Sequence, residues 1–260
     1  ARLLEVLAPS PARVTPLCPW FGRCGGCHWQ HIDYAAQLAY KRDIVRSQLQ
    51  RLGQQPDPQV RPTLGMDTPW AYRNHAQAVT DAHGRLGYNA LKSHTVVPID
   101  ECRILHPLLD ELWAALDLEV DAPPRIVLRA GIGTEEQMII LQGDDSAAPE
   151  LEVDLPVSCL YQAPDGTLTL LAGDDHFHEV LAGRVYRISA PSFFQVNTTQ
   201  AEHMLDVVRR YAMVQPDQSI LDAYCGVGAL GLSLLQPGVR LVGIESSPWA
   251  IDDAAANASE

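Results

Sequence analysis

Residues 219–245 constrain the fold more than any other stretch. The apolar run Ile220-Leu221-Asp222-Ala223 leads into Tyr224-Cys225, and the glycines Gly226 and Gly228 follow at once. Ala229-Leu230-Gly231 then opens a helix, and Arg240-Leu241-Val242-Gly243-Ile244 runs up to Glu245. Strand, glycine turn, helix and strand in that order begin a doubly wound parallel sheet. Glycines there let the backbone approach a ligand at the carboxyl end of the first strand. Glu245, closing the second strand, can accept hydrogen bonds from both hydroxyls of a ribose. No phosphate-binding lysine stands in the turn. The ligand is therefore a nucleoside without a phosphate demand, and S-adenosylmethionine fits. The alternative is an ordinary βα turn with Glu245 in water.

A second constellation lies near the start. Cys18-Pro-Trp-Phe-Gly-Arg-Cys24-Gly-Gly-Cys27 puts three thiols in ten residues, and Cys102 stands alone much further on. Three ligands in one loop plus one remote ligand resembles iron–sulfur ligation more than zinc, whose structural sites more often use two matched short knuckles. Gly25 and Gly26 allow close backbone approach, so that N–H groups can point at sulfur. On spacing alone an iron–sulfur cluster, a structural zinc and unliganded core cysteines all stay open. A radical enzyme's triplet is tighter than this one.

Between these motifs the grammar is mostly strands. Residues 33–52 predict a helix, with Asp33 as its cap, an apolar face of Ala36, Leu38, Ile44, Val45 and Leu49, and Gly53 as its stop. A proline-rich linker follows. From Tyr72 to Val196, short runs such as HAQAV, RIVLRAG, QMIILQ, LPVSCLYQ, TLTLLA and RVYRIS alternate with turn residues, interrupted by a helix at 107–116. The acidic stretch 143–154 reads as a solvated loop. A helix at 198–213 leads into the glycine-turn region. The expected fold class is α+β passing into α/β. It comprises the last strand of a β-barrel domain at 1–15, a central, mainly antiparallel β domain with the cysteine loop at 16–190, and the start of a Rossmann-like domain at 191–260. The chain opens at Ala1 rather than Met, and Glu260 falls within a helix, so both ends read as cuts.

Composition sets outer limits. The chain has 260 residues, 47% of them apolar, enough for a real core. No apolar run approaches the roughly 18 residues that span a bilayer, and no signal-peptide pattern opens the chain, so a soluble, cytoplasmic monomer is expected. The net charge of −13 gives no support to nucleic-acid binding, but it is uneven. Residues 1–60 carry seven Lys/Arg against four Asp/Glu, whereas residues 111–260 carry seven against 23. A phosphate-facing surface belongs toward the N-terminal end. Arg23, Lys41 and Arg42 are the candidate phosphate contacts. Trp20, Phe21 and Trp29 are expected to shield the cysteines from water.

Four stretches carry a family resemblance: CPWFGRCGGCHWQH (18–31), HTVVPIDECRILHP (94–107), SFFQVNTTQAE (192–202) and ILDAYCGVG (220–228). Together they resemble the RNA uracil-5-methyltransferases, which make 5-methyluridine in ribosomal or transfer RNA. The resemblance implies S-adenosylmethionine-dependent methylation of C5 of a uridine, with ribosomal RNA as the foremost partner. It implies a 4Fe–4S cluster on Cys18, Cys24, Cys27 and Cys102, and cofactor contacts from Gln195, Tyr224 and Glu245. It also implies that the 33–52 helix packs with the methyltransferase domain. Ala229 stands where some relatives have a polar residue, so no side-chain contact is expected there. The resemblance implies that the family's nucleophilic cysteine, its neighbouring aspartate and its general base lie beyond residue 260; neither Cys159 nor Cys225 lies in a matching motif. Two rival readings remain: a non-catalytic, metal-stapled RNA-binding module, and a methyltransferase for DNA or protein.

Overall fold

A computed structural model describes residues 5–118, 122–149 and 154–259. The first four residues of the expected opening strand, and residues 150–153 of the expected acidic loop, lie outside the described residues. The chain divides into two compact units. One takes the chain through Pro69 together with Asn89–Val97; the other takes Trp70–Tyr88 and the chain from Pro98 onward.

In the first unit, α1 (Tyr34–Arg51) starts where expected, because Asp33 accepts hydrogen bonds from the N–H groups of Ala35 and Ala36. It ends at Leu52, and the left-handed residue that turns the chain away is Gln54 rather than Gly53. Gly53 matters for a different reason, since a Cβ there would meet the Leu49 carbonyl oxygen at 2.7 Å. The expected apolar face is not a core face. None of the helix is buried, and Ile44 and Val45 are each about half exposed.

Six strands of the second unit form one sheet, in the order β2-β1-β4-β5-β6-β7 among the described residues; the short β3 falls, but for Pro98, in the first unit. The strands are β1 (His75–Thr80), β2 (Leu86–Asn89), β3 (Val96–Pro98), β4 (Arg125–Ala130), β5 (Gln137–Gln142), β6 (Ser158–Gln162) and β7 (Leu168–Ala172), with α2 (Pro107–Ala115) between β3 and β4. Central β4 and β5 are buried on both faces, as their unbroken apolar runs demand. β1 pairs antiparallel with β2 and with β4, as β4 does with β5 and β6 with β7, whereas β5 and β6 run parallel. A hairpin, β8 (His176–Leu181) and β9 (Arg184–Ser189), turns through Ala182 and Gly183, both left-handed. β2, β3 and β8 are not among the runs that stand out in the sequence. β2 and β3 are only four and three residues long, and β8 carries two histidines and a glutamate.

Then come α3 (Thr198–Ala212), β10 (Ser219–Ala223), α4 (Ala229–Ser233), β11 (Arg240–Ile244) and α5 (Pro248–Ser259). β10 and β11 pair in parallel, Ser219 opposite Arg240 and Ala223 opposite Ile244, as the strand–turn–helix grammar requires. The change of grammar near residue 190 does not interrupt the core. Val127, Met138, Ile140 and Leu160 from the sheet, Phe177 and Tyr186 from the hairpin, Phe194, Leu205 from α3, and Val227 and Leu232 from the glycine turn and α4 form one buried cluster. On β10 and β11, Leu221, Val242 and Ile244 are more than half exposed. Among the described residues no helix is long and apolar enough to cross a membrane.

Candidate active site

The glycine turn closes onto the end of β11. Tyr224 is left-handed, and its N–H and that of Cys225 both donate to the Ile244 carbonyl, at 2.7 and 3.0 Å. Gly226 and Gly228 are left-handed too, which frees the turn from Cβ strain. Gly228 caps α4, and the Gly231 N–H donates to Asp222 Oδ2 at 2.8 Å. A Cβ on Gly231 would meet that same oxygen at 2.7 Å, so the helix sits this close to the strand only because residue 231 is glycine.

Glu245 stands at the strand end, as expected, and ties the turn together. Its Oε2 accepts from the Gly226 N–H at 3.0 Å; its Oε1 accepts from the N–H groups of Ser246 and Ser247 at 2.7 and 2.9 Å. These amides, with Ser247 first, hold the carboxyl below its ordinary pKa. The charged form is therefore kept well into acid. Tyr224 extends its side chain into solvent, 89% exposed. Tyr224 and Glu245 thus lie side by side at the carboxyl ends of two parallel strands. That is where ligands bind on open α/β sheets.

Gln195 is partly buried, on the segment that follows core residue Phe194 and precedes α3. Its carbonyl accepts from Asn74 Nδ2 at 3.0 Å. A recess of about 200 Å³ lies on the α5 side of the turn, lined by Asp222, Cys225, Gly228, Leu232, Gly243 and α5. None of Gln195, Tyr224 and Glu245 lines it, so it is not the cleft these three side chains would form. Burial and then the charges of Asp222 and Glu245 raise the Cys225 pKa, and burial lifts Cys159 to about 11. Both shifts disfavour the thiolate.

A polar network behind the turn escaped the sequence reading. Asp253 and Asn257 of α5 are fully buried. Asp253 accepts from Ser189 N at 2.8 Å, Ser189 Oγ at 2.7 Å and Ser192 Oγ at 2.6 Å, and it pairs with Arg187. Asn257 Nδ2 donates to the Val227 carbonyl at 2.9 Å, linking α5 to the turn. Burial lowers the nearby Arg129 guanidinium to about 10, with Asp253 opposing the shift.

In the first unit the cysteine loop is tightly folded. The N–H groups of Arg23 and Cys24 both donate to the Trp20 carbonyl, and the Gly26 N–H points at Cys24 Sγ at 3.4 Å. Gly25 fits against the Asn89 carbonyl only because it lacks a Cβ, which would come within 2.6 Å of that oxygen. Burial raises the Cys24 pKa, the Gly26 N–H opposes this, and the thiols of Cys27 and Cys18 are close enough to add to it. The donor set and the sulfur-facing amide suit a cluster. Cys18, Cys24 and Cys27 lie in the first unit and Cys102 in the second. Among the described residues no three His, Cys, Asp or Glu side chains form a group that could hold a metal ion. Arg23 stacks 4.8 Å from the Trp20 ring centre, and Phe21 and Trp29 pair with His31 and Tyr40, so the aromatic residues of the loop are tied up with neighbours.

No protein-family model matches the chain. It is 33% identical over 291 residues to an uncharacterised RNA methyltransferase of Halalkalibacterium halodurans, covering 99% of the chain and 64% of that protein. It is 34% identical over 292 residues to one of Gloeobacter violaceus, covering 99% and 64%, and 31% identical over 300 residues to one of Listeria monocytogenes, covering 100% and 65%. The chain thus spans a little under two thirds of the length of these relatives. Among solved structures it matches the Pyrococcus abyssi tRNA (uracil-54, C5)-methyltransferase in complex with S-adenosyl-L-homocysteine. That match has a TM-score of 0.74 and 24% identity, over 98% of this chain and 64% of that one. The likeness establishes the fold, a mixed α/β architecture with a large, mainly antiparallel sheet.

Proposed function

We propose that the protein transfers a methyl group from S-adenosylmethionine to C5 of a uridine in RNA, with ribosomal RNA as the substrate. The observation that carries this reading is the glycine turn closed by Glu245 at the ends of two parallel strands, in a chain whose relatives are named RNA methyltransferases. When bound, S-adenosylmethionine supplies an electrophilic methyl on a sulfonium. Glu245 holds the ribose through Oε2, which accepts from the Gly226 N–H and keeps a second lone pair, Tyr224 covers the nucleoside, and Gln195 contacts the cofactor from the segment before α3. The target base is flipped out or single-stranded, since its C5 is otherwise inside a stack. C5 of uracil becomes a good nucleophile only after a thiolate adds to C6. Neither shift favours the thiolate at Cys159 or Cys225, so we place the nucleophile and the base outside residues 1–260. Arg23, Lys41 and Arg42 are the proposed phosphate contacts.

The test is calorimetry with S-adenosylhomocysteine. Glu245→Ala is expected to weaken binding by about tenfold or more, the loss of a hydrogen bond to a charged acceptor. Unchanged affinity would remove Glu245 from the site. A depressed pKa means the charged form is lost only as pH falls through that lowered value. Affinity is therefore expected to stay level from about pH 8 to about pH 5.

Transfer RNA is the second reading, favoured by the substrate of the matched Pyrococcus enzyme. Mapping 5-methyluridine by mass spectrometry in both RNA classes, from a strain lacking the gene, separates the two.

We further propose that Cys18, Cys24, Cys27 and Cys102 ligate a 4Fe–4S cluster. The support is their three-plus-one spacing and the amide aimed at Cys24. Methyl transfer is polar and needs no electron, so the group is structural or contacts RNA. Anaerobically purified protein is expected to be brown, and Cys24→Ser to bleach it. Colourless wild-type protein that binds zinc instead would replace the cluster with the zinc reading.

A further inference from the structure

The segment bearing Gln195 has no regular structure of its own, yet a cofactor contact must be held to within a fraction of an ångström. Asn74, at the entrance to β1, supplies that hold. Its side chain is buried, and its N–H donates to the Val196 carbonyl at 3.0 Å. Its Nδ2 donates to the Gln195 carbonyl at 3.0 Å and to Thr198 Oγ1 at 3.1 Å. Asn74 therefore grips three of the four residues from 195 to 198.

The chemistry of the partners sets the direction of every bond. Thr198 Oγ1 gives its one proton to Glu179 Oε2, at 2.9 Å, so it can only accept from Asn74. The Gln195 carbonyl also can only accept. Both bonds require the NH₂ end of the Asn74 amide. Glu179, in turn, is fully buried on β8 and accepts from the N–H groups of Ile132 and Gly133, at 2.9 Å each. A buried carboxylate with this many donors does not move. The chain Glu179–Thr198–Asn74 thus runs from a fixed charge in the hairpin to the backbone of Gln195.

We propose that Asn74, backed by Thr198 and Glu179, is the positioning residue that sets Gln195 for the methyl donor. This rests on the reading of Gln195 as a cofactor contact. Asn74→Asp keeps the size but replaces the donor with an acceptor facing two acceptors. Thr198→Val keeps the shape and removes the link to Glu179.

The test is a double-mutant cycle on the full-length protein, reading S-adenosylhomocysteine affinity by calorimetry. Asn74→Asp is expected to weaken binding about tenfold in the wild-type background and less than about twofold in a Gln195→Ala background. A merely structural role makes the two losses add, and that result overturns the proposal. If Asn74→Asp does not fold, the same cycle with Thr198→Val decides. Wild-type protein that binds no S-adenosylhomocysteine removes the donor-site reading and this inference together. Normal wild-type binding with additive losses removes the inference alone.

Discussion

Asp253→Ala is expected to cost about 3 kcal/mol of unfolding free energy, chiefly the penalty for leaving buried donors without their acceptor. The substitution leaves Arg187 without its buried partner and strips acceptors from Ser189 N, Ser189 Oγ and Ser192 Oγ. The serine groups are already out of water and do not recover their hydration, whereas Arg187 is a quarter exposed and keeps its pair with Asp175. α5 would lose its hold on β9, and with it the Asn257 bond that steadies the turn at Val227. Urea unfolding followed by circular dichroism checks this. The midpoint should fall sharply with little change in slope. A loss under about 1 kcal/mol would mean that α5 is held by its alanines instead.

The second large effect concerns chemistry. Residues 1–260 expressed alone are expected to place no methyl group on uridine C5, against robust transfer by the full-length protein. Of the six thiols, three stand in the N-terminal loop and Cys102 is their expected partner. Burial holds Cys159 near a pKa of 11, and Cys225 is raised by burial and two carboxylates. Neither shift favours the thiolate at Cys159 or Cys225, and without addition at C6 the C5 carbon does not attack a sulfonium. Labelled-methyl transfer to unmodified ribosomal and transfer RNA is the assay. C5 labelling by residues 1–260 would make Cys225 or Cys159 the nucleophile and overturn the proposal that it lies elsewhere. The exposed Leu221, Val242 and Ile244 also predict that residues 1–260 alone are prone to aggregate, which light scattering during expression trials would reveal.

The glycine turn and its strand ends were legible in the sequence because their constraints are local. Only glycine takes Gly228's left-handed cap without strain, only glycine fits Gly231 against Asp222, and a parallel pair must follow from strand–helix–strand. The Asp33 cap of α1 was legible for the same reason. Other features depended on partners distant in sequence. Glu245 looked like an open ribose acceptor, but a carboxylate next to a tight turn also finds backbone amides, and three of them occupy it. The periodic apolar residues of α1 predicted a buried face, and none of them is buried. β8 does not stand out in the sequence because its inward residues are Phe177, Glu179 and Leu181. A charge in the middle of a core pattern hides the alternation until its hydrogen-bond partners are known.

The sequence by itself determined the local conformations, the cap and turn residues, the parallel βαβ unit and the strand character of the sheet. These depend on φ, ψ preferences and on hydrophobic period, which are properties of neighbours along the chain. Only the tertiary structure decided that β5 and β6 run parallel and that one core joins the sheet to the glycine turn. It alone decided that Asp253, Asn257, Glu179 and Asn74 are buried. A polar side chain enters a core only where donors and acceptors from remote segments meet it, and no pattern in its own segment records where they are.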